Sequence, residues 1–222
     1  MIDDTDPESI AALAREIGPA PDEILREMDE YAASEGFPTV GPEVGGWLTL
    51  LTRLSDARRV FEFGSGFGYS AYWFARGLPA DGEVVLTEID ASELEDARKY
   101  FRRGGLFGRA RFEHGDAIEI VADCEGTFDV VLIDNEKQRY LEALEAVEDR
   151  LRSGSVVLAD NAVTSSRVYP GSVLRSLRGE PLSEVTDQSA GIAGYLDVVR
   201  GRDDFVTALL PLGEGVAVSV RQ

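Results

Sequence analysis

An apolar run ends at Asp134, and Lys137 follows three residues later in the stretch VVLIDNEKQRYLEAL. Only two of the 22 basic side chains are lysines, Lys99 and Lys137. An amine can act as a general base once burial or nearby positive charge favours its neutral form, whereas a guanidinium does not give up its proton. A second apolar run, VVLA, ends at Asp160 and Asn161. Carboxylate and amide oxygens are hard donors, suited to Mg²⁺ or a similar cation completed by water or substrate. Either aspartate alone reads equally well as the cap of a following helix. The two together, with Asn161 adjacent, favour a metal. Position alone also leaves Lys137 open as an exposed residue on a first helical turn.

A third group is FEFGSGFGYS, with Gly64, Gly66 and Gly68. Closely spaced glycines let a backbone approach a ligand and leave helix N–H groups pointing at it. An acid further on, at the end of the next strand, can accept both ribose hydroxyls. Glu88 in LTEID is the first choice and Asp90 the second. Dinucleotide loops prefer Gly-x-Gly-x-x-Gly, but Tyr69 stands where the third glycine would fall. Glu62, just before the loop, would repel a pyrophosphate and suits a cationic ligand. S-adenosylmethionine carries an ammonium and a sulfonium and no phosphate, so it is favoured over NAD.

These residues need a frame that gathers them. From residue 58 onward, strands alternate with helices: RRVFEFG, GEVVLTEID, ARFEHGD, FDVVLIDN and GSVVLADN. Four are near-continuous apolar runs, as strands buried on both faces of a parallel sheet must be. Helices are expected between them, for example over Ala91 to Arg103 and Lys137 to Leu151. This is a doubly wound α/β pattern. The stretch DDFVTALLPLGEGVAVSVRQ reads as two strands around a turn at Gly213 to Gly215, an antiparallel pair closing the sheet. In such sheets, ligands bind beyond the carboxyl ends of the strands, near the switch in strand order. Three helices precede this core. The first has Asp6 at an N-cap, Pro7 at the first helical position and Gly18 at its end. The second runs from Pro21 to Gly36. The third starts near Pro42 and carries Trp47, Leu48, Leu51 and Leu54 at helical spacing. Ser165 to Ala190 has weak periodicity and reads as a partly helical excursion over the sheet edge.

The totals exclude several classes. The 222 residues suit one domain with a full core, and an apolar content of 44% argues against disorder. No apolar run reaches the roughly 18 residues that span a bilayer. MIDDTDPESI lacks the features of a signal peptide. Cys124 is the only cysteine, so no intrachain disulfide forms. A cytoplasmic protein is the plain expectation. The net charge of −19 repels nucleic acid and anionic membranes, so neither is an expected partner. Few lysines and many carboxylates also suit a salt-rich cytoplasm, where ions screen self-repulsion. Stability that rises with KCl is the halophilic expectation, and stability that falls toward molar KCl contradicts it. An ordinary acidic surface is the alternative.

At this point the sequence resembles the metal-dependent O-methyltransferases of the catechol and caffeoyl-coenzyme A type. EFGSGFGYSA resembles their cofactor loop, VVLIDNEKQRYLEAL their metal-and-base strand, and GSVVLADNAV their second metal strand. FVTALLPLGEGVAVSV resembles the closing hairpin of the bacterial branch, and FPTVGPEVGGWLTLLTRL the lead-in helix. The likeness spans residues 36 to 222 and is weakest between 163 and 190. It implies a class I S-adenosylmethionine-dependent methyltransferase fold: a doubly wound, mostly parallel seven-stranded sheet with a C-terminal antiparallel hairpin. Residues 1–222 would form one domain, with N-terminal helices over 1–56 and a Rossmann-like core over 57–222. Val40, Glu62, Gly64, Gly66, Gly68 and Ser70 would hold the methionine part of the cofactor, and Glu88 the ribose. Asp116 and Ala117 would lie near the adenine. Asp134, which also faces the cofactor, would bind the metal with Asp160 and Asn161. Lys137 would take the proton of a small-molecule hydroxyl acceptor. Pairing of two copies through the N-terminal helices is also implied.

The resemblance has gaps. Mammalian catechol enzymes carry His and Trp where this chain has Asn135 and Glu136. The aromatic wall therefore does not carry over, and neither does the substrate loop around residues 165 to 191. His114, the only histidine, is expected as a strand-end residue, and Tyr72 and Trp73 as core. An NAD-dependent oxidoreductase and a binding protein without turnover are the alternatives.

Overall fold

The computed structural model describes residues 7–165, 168–180 and 186–222. Among these, seven strands form one sheet: β1 (Arg59–Phe63), β2 (Glu83–Glu88), β3 (Ala110–His114), β4 (Phe128–Ile133), β5 (Leu151–Ala159), β6 (Phe205–Leu210) and β7 (Val216–Arg221). Their order is β3-β2-β1-β4-β5-β7-β6. The first five pair in parallel, and β7 runs antiparallel to both β5 and β6. The doubly wound sheet with its closing hairpin is therefore as expected. Strand order reverses between β1 and β4, which is where a ligand crevice belongs.

Successive strand residues point to opposite faces, so the apolar runs feed two cores. Val60, Val84, Leu86, Val130, Leu132, Val156 and Leu158 face one core. It is completed by α2 (Glu23–Glu35), α3 (Gly41–Leu54), α4 (Tyr69–Gly77) and α5 (Ala91–Arg103). Phe61, Phe63, Val85, Val131, Ile133, Val157 and Ala159 face the other. That core is closed by α6 (Ala117–Asp123), α7 (Tyr140–Val147), α8 (Pro170–Leu177) and α9 (Asp187–Gly201). Every residue of β4 is buried. Each such Val, Leu or Ile side chain contributes roughly 1.5–3 kcal/mol. Tyr72 and Trp73 are fully buried, and His114 ends β3 with Nε2 against the Ile89 carbonyl oxygen, both as expected.

Helix α1 (Pro7–Ile17) packs on α3, tied by Arg15 to Glu43 at 3.3 Å. It begins at Pro7 as expected; the Asp6 cap lies outside the described residues. Helix α2 starts later than its proline suggests, because Asp22 caps it by accepting from the Leu25 N–H.

One expectation changes. The segment from Lys137 to Leu151 is not one helix. Lys137–Arg139 is a tight 3₁₀ turn, α7 begins at Tyr140, and Leu151 already pairs with Phe128 in the sheet. The weakly periodic region is partly helical, as expected: it holds α8 and the start of α9. Its α9 packs against α7, α8 and the Lys137 turn, and runs on to Gly201. Interior Gly191 and Gly194, both poor helix formers, blur its pattern in the sequence.

Candidate active site

The parallel ladder continues one step past the strand ends. Asp134 N–H donates to the Phe63 carbonyl at 3.0 Å, Asp160 N–H to Ile133 at 3.1 Å, and Ser65 N–H to Thr87 at 2.9 Å. Gly64, Asp134 and Asp160 are thus the first residues beyond three adjacent strands. The chain opens there into a cleft of about 560 Å³. Val40, Gly64, Gly66, Ser70, Glu88, Asp116, Ala117, Asp134, Lys137, Asp160 and Asn161 all line it.

The glycine loop sits against β4. Gly64 has φ +81°, and a Cβ there would lie 2.9 Å from the Asp134 carbonyl oxygen. Gly66 lies under Phe37, whose ring meets Phe67 edge-on at 5.0 Å. Glu88 accepts from the Gly66 N–H at 2.9 Å and from Ile89 and Asp90 at 2.8 and 3.0 Å, so it braces the loop from β2. Asp90, the second choice, caps α5 by accepting from Ser92. Gly68, like Glu62, is set back from the lining residues. At φ +87° it starts α4, and a Cβ would fall 2.8 Å from that of Ala97 on α5.

Glu62 lies beneath the loop, fully buried, and accepts from the Ser70 hydroxyl. Burial first, then the charges of Asp134 and Glu88, push its carboxyl up to about 8. One carboxyl oxygen has no hydrogen-bond partner among the described residues. A buried carboxyl held neutral in this way is ready to ionise beside a cation.

Lys137 Nζ lies 2.8 Å from Asp134 Oδ1 and 2.8 Å from the Tyr140 hydroxyl. The Tyr140 hydroxyl in turn donates to the Asp160 carbonyl at 3.2 Å. Burial raises the Asp134 carboxyl, and Lys137 and Tyr140 pull it back. Neither aspartate is a simple helix cap. Asp160 is 4% exposed. Burial, then the charge of Asp134, lifts its carboxyl to about 7. Asn161 adopts the left-handed φ of +53°, a conformation Asn tolerates. Its amide donates to Glu214 on the turn between β6 and β7. At the β3 side of the cleft, Asp116 caps α6 and holds Arg139 at 2.8 Å.

This arrangement suits transfer of a group to a hydroxyl. The sequence profile of the O-methyltransferase family matches residues 16–179. The chain belongs to the O-methyltransferase family. It is 33% identical over 153 residues to a catechol O-methyltransferase of Niastella koreensis, covering 66% of this chain and 69% of that one. It is 31% identical over 205 residues to a protein of Mycobacterium tuberculosis H37Rv named as an O-methyltransferase, covering 90% and 85%. Among solved structures, it is similar to the O-methyltransferase TomG of Streptomyces achromogenes, of tomaymycin synthesis, in complex with S-adenosylmethionine. That match has a TM-score of 0.85 and 25% identity over all of both chains. A Bacillus cereus O-methyltransferase in complex with S-adenosylhomocysteine shares the fold, with TM-score 0.82 and 24% identity over 96% and 97%. Family membership sets the dehydrogenase reading aside.

In this methyltransferase, the donors at Asp134, Asp160 and Asn161 suit a divalent cation. Among the described residues no group of three or more His, Cys, Asp and Glu is placed to hold a metal. The candidate set is instead two carboxylates and one amide. Asp160 Oδ1 is buried with no hydrogen-bond partner among the described residues, which leaves an oxygen to be satisfied. A hard cation there would satisfy it and relieve the repulsion between the two aspartates.

Several cleft residues carried no signal in the sequence. Glu214, Gln188, Arg139 and Phe37 all line it, and Tyr140 anchors Lys137 from behind. Glu214 arrives because the β6–β7 turn is zipped to the segment after β5, with Val163 and Thr164 N–H groups donating to the Glu214 carbonyl at 3.0 and 2.9 Å. No helix among the described residues is long and apolar enough to cross a membrane.

Proposed function

We propose that this O-methyltransferase moves the methyl group of S-adenosylmethionine to a hydroxyl of a small catechol-like molecule, with a divalent cation of the Mg²⁺ kind beside the acceptor. The observation that carries the reading is one cleft. It brings a glycine loop over a buried neutral carboxyl together with Lys137, Asp134, Asp160 and Asn161.

The donor would supply an electrophilic methyl carbon on a positively charged sulfur. Glu62 and Ser70 suit its ammonium end, with Val40, Gly64 and Gly66 along the methionine portion. Gly68, packed between α4 and α5, would hold the loop in shape for it. Glu88 suits the ribose hydroxyls, and Asp116 and Ala117 flank the place for adenine. A divalent cation on Asp134, Asp160 and Asn161 would make an adjacent acceptor hydroxyl more acidic. Lys137 then receives that proton at Nζ. Tyr140 and Asp134 hold Nζ in place, and positioning of this kind supplies much of a transfer rate. Arginine in the same place could not accept the proton.

The reading is tested by transfer of labelled methyl to catechol, caffeate and other vicinal diols in high KCl, with Mg²⁺ and then with EDTA. Transfer that EDTA abolishes is the expected result. Transfer indifferent to EDTA removes the metal. Transfer to none of the diols while the donor binds removes the acceptor class and revives binding without turnover.

A further inference from the structure

Helix α9 runs behind the Lys137 turn, and three of its residues at helical spacing meet the site. Gln188 lines the cleft with Asn135 and Glu136, and a smaller adjoining cavity with Gln138. Tyr195 is buried and meets the Tyr140 ring edge-on, with centroids 5.9 Å apart. Between them, Gly191 lies directly on the Lys137 peptide. A Cβ at Gly191 would fall 2.8 Å from the Lys137 carbonyl carbon and 2.9 Å from Gln138 Cα, and closer still to the Lys137 carbonyl oxygen. These neighbours are backbone, so no rotamer change relieves the overlap. Gly194, in the same helix, faces open space. Glycine in a helix interior is a less stable choice than alanine, so its presence at 191 needs a reason beyond helix formation. Neither glycine has a positive φ, so conformation does not supply one.

We infer that Gly191 is a positioning residue for Lys137. Its missing side chain lets α9 seat against the peptide that carries the lysine. That fixes the backbone from which Nζ reaches both Asp134 and Tyr140. Tyr195 completes the support by packing Tyr140, the second anchor of Nζ. The inference rests on Lys137 as the proton acceptor only for its effect on rate; the effect on geometry stands apart from that reading. A side chain at 191 must push the turn or the helix by a fraction of an ångström or more. A displacement of about 1 Å at a catalytic group can cost about 100-fold in rate.

The test compares Gly191→Ala with Gly194→Ala in the full chain. Both gain helix propensity equally, so that effect cancels in the comparison. The chain's two lysines make the readout direct. Protein carrying ¹³C at the lysine ε-carbon gives two signals, and Lys137→Met assigns them. In Gly191→Ala the Lys137 signal is expected to move while the Lys99 signal stays. Turnover should fall about 10- to 100-fold, with donor affinity within about twofold of wild type. Gly194→Ala should change neither. An unmoved Lys137 signal in Gly191→Ala overturns the inference, as does an equal response in Gly194→Ala. A Gly191→Ala chain that does not fold also overturns it, because the contact would then serve the fold rather than the lysine. If Lys137→Met keeps full turnover, the base assignment falls, and the ¹³C comparison still decides the positioning role.

Discussion

Lys137 Nζ lies 2.8 Å from Asp134 Oδ1, so the less exposed of the chain's two lysines is paired with the first residue beyond β4. The pair spans three residues and is held in the tight turn before α7, not in a helix. A cation placed on Asp134 would compete with the lysine for the same carboxylate. That competition would tie metal loading to the position of Nζ.

Lys137→Arg keeps the positive charge beside Asp134 but loses the group that can be deprotonated. General-base catalysis contributes about 10²–10⁴-fold, and turnover should fall by that order. Donor affinity should stay within about twofold, because the glycine loop and Glu88 are untouched. Single-turnover methyl transfer and calorimetric titration of the donor measure the two quantities. An Arg variant with wild-type turnover would remove the base assignment.

If Glu62 meets the donor's ammonium, stability and donor binding should depend on pH in opposite directions. Its carboxyl stands near 8 in the folded chain, above its ordinary value of 4.5. Between those two values the folded chain holds a proton that the unfolded chain has lost. The contribution of Glu62 to stability therefore falls as pH rises from about 4.5 to 8. Donor affinity should rise over the upper part of that window, as the carboxyl ionises to meet the ammonium. Glu62→Gln should flatten both trends and weaken donor binding at least about tenfold, the scale of a lost charge-assisted hydrogen bond. Thermal midpoints from pH 5 to 9, with and without donor, decide this. Parallel curves for wild type and variant would refute it.

Much of this site was legible before any coordinates. Four strands are apolar on both faces, and the residues with chemistry stand where those runs stop. Asp134, Asp160 and Gly64 could be placed because a parallel sheet puts all its strand ends together. Other features were hidden for physical reasons. Gln188 and Gly191 belong to a helix whose glycines break the usual periodicity. Glu214 reaches Asn161 only because a hairpin turn folds back across the end of β5. Gly68 looks the same in the sequence as Gly64. Only the packing shows that one glycine admits a close backbone at β4 and the other admits α5.

That difference predicts two distinct phenotypes. Both glycines have positive φ, so alanine costs about 1–2 kcal/mol of backbone strain at either site. Gly64→Ala adds a clash with the Asp134 carbonyl oxygen and deforms the wall of the cleft. Donor affinity should fall more than about tenfold there. Gly68→Ala instead presses on Ala97 and Leu86, inside the core under α5. It should lower the thermal midpoint more than Gly64→Ala does, with the smaller effect on donor affinity. Denaturant melts and donor titrations on both variants check the pattern, and a reversed ranking would contradict it.

The N-terminal helices carry the last prediction. Ile10, Leu13 and Ile17 of α1 are 56%, 60% and 76% exposed, and Leu54 of α3 is 70% exposed. Trp47 and Leu50 of α3 are partly exposed as well. Each helix presents its apolar residues at spacings of three and four, so they form stripes on neighbouring helices. A patch of this kind on a chain of net charge −19 needs a cover that brings no unpaired charge into contact. A second copy meets that condition, because a two-fold axis places the same apolar stripes against each other. The chain should therefore run at twice its 24.2 kDa in light scattering, and the paired fraction should grow with KCl as like charges are screened. Leu13→Glu with Leu54→Glu should return it to a single chain with the same thermal midpoint as a dilute wild type. A monomer at all salt concentrations in the wild type would show that these stripes are not a self-association surface.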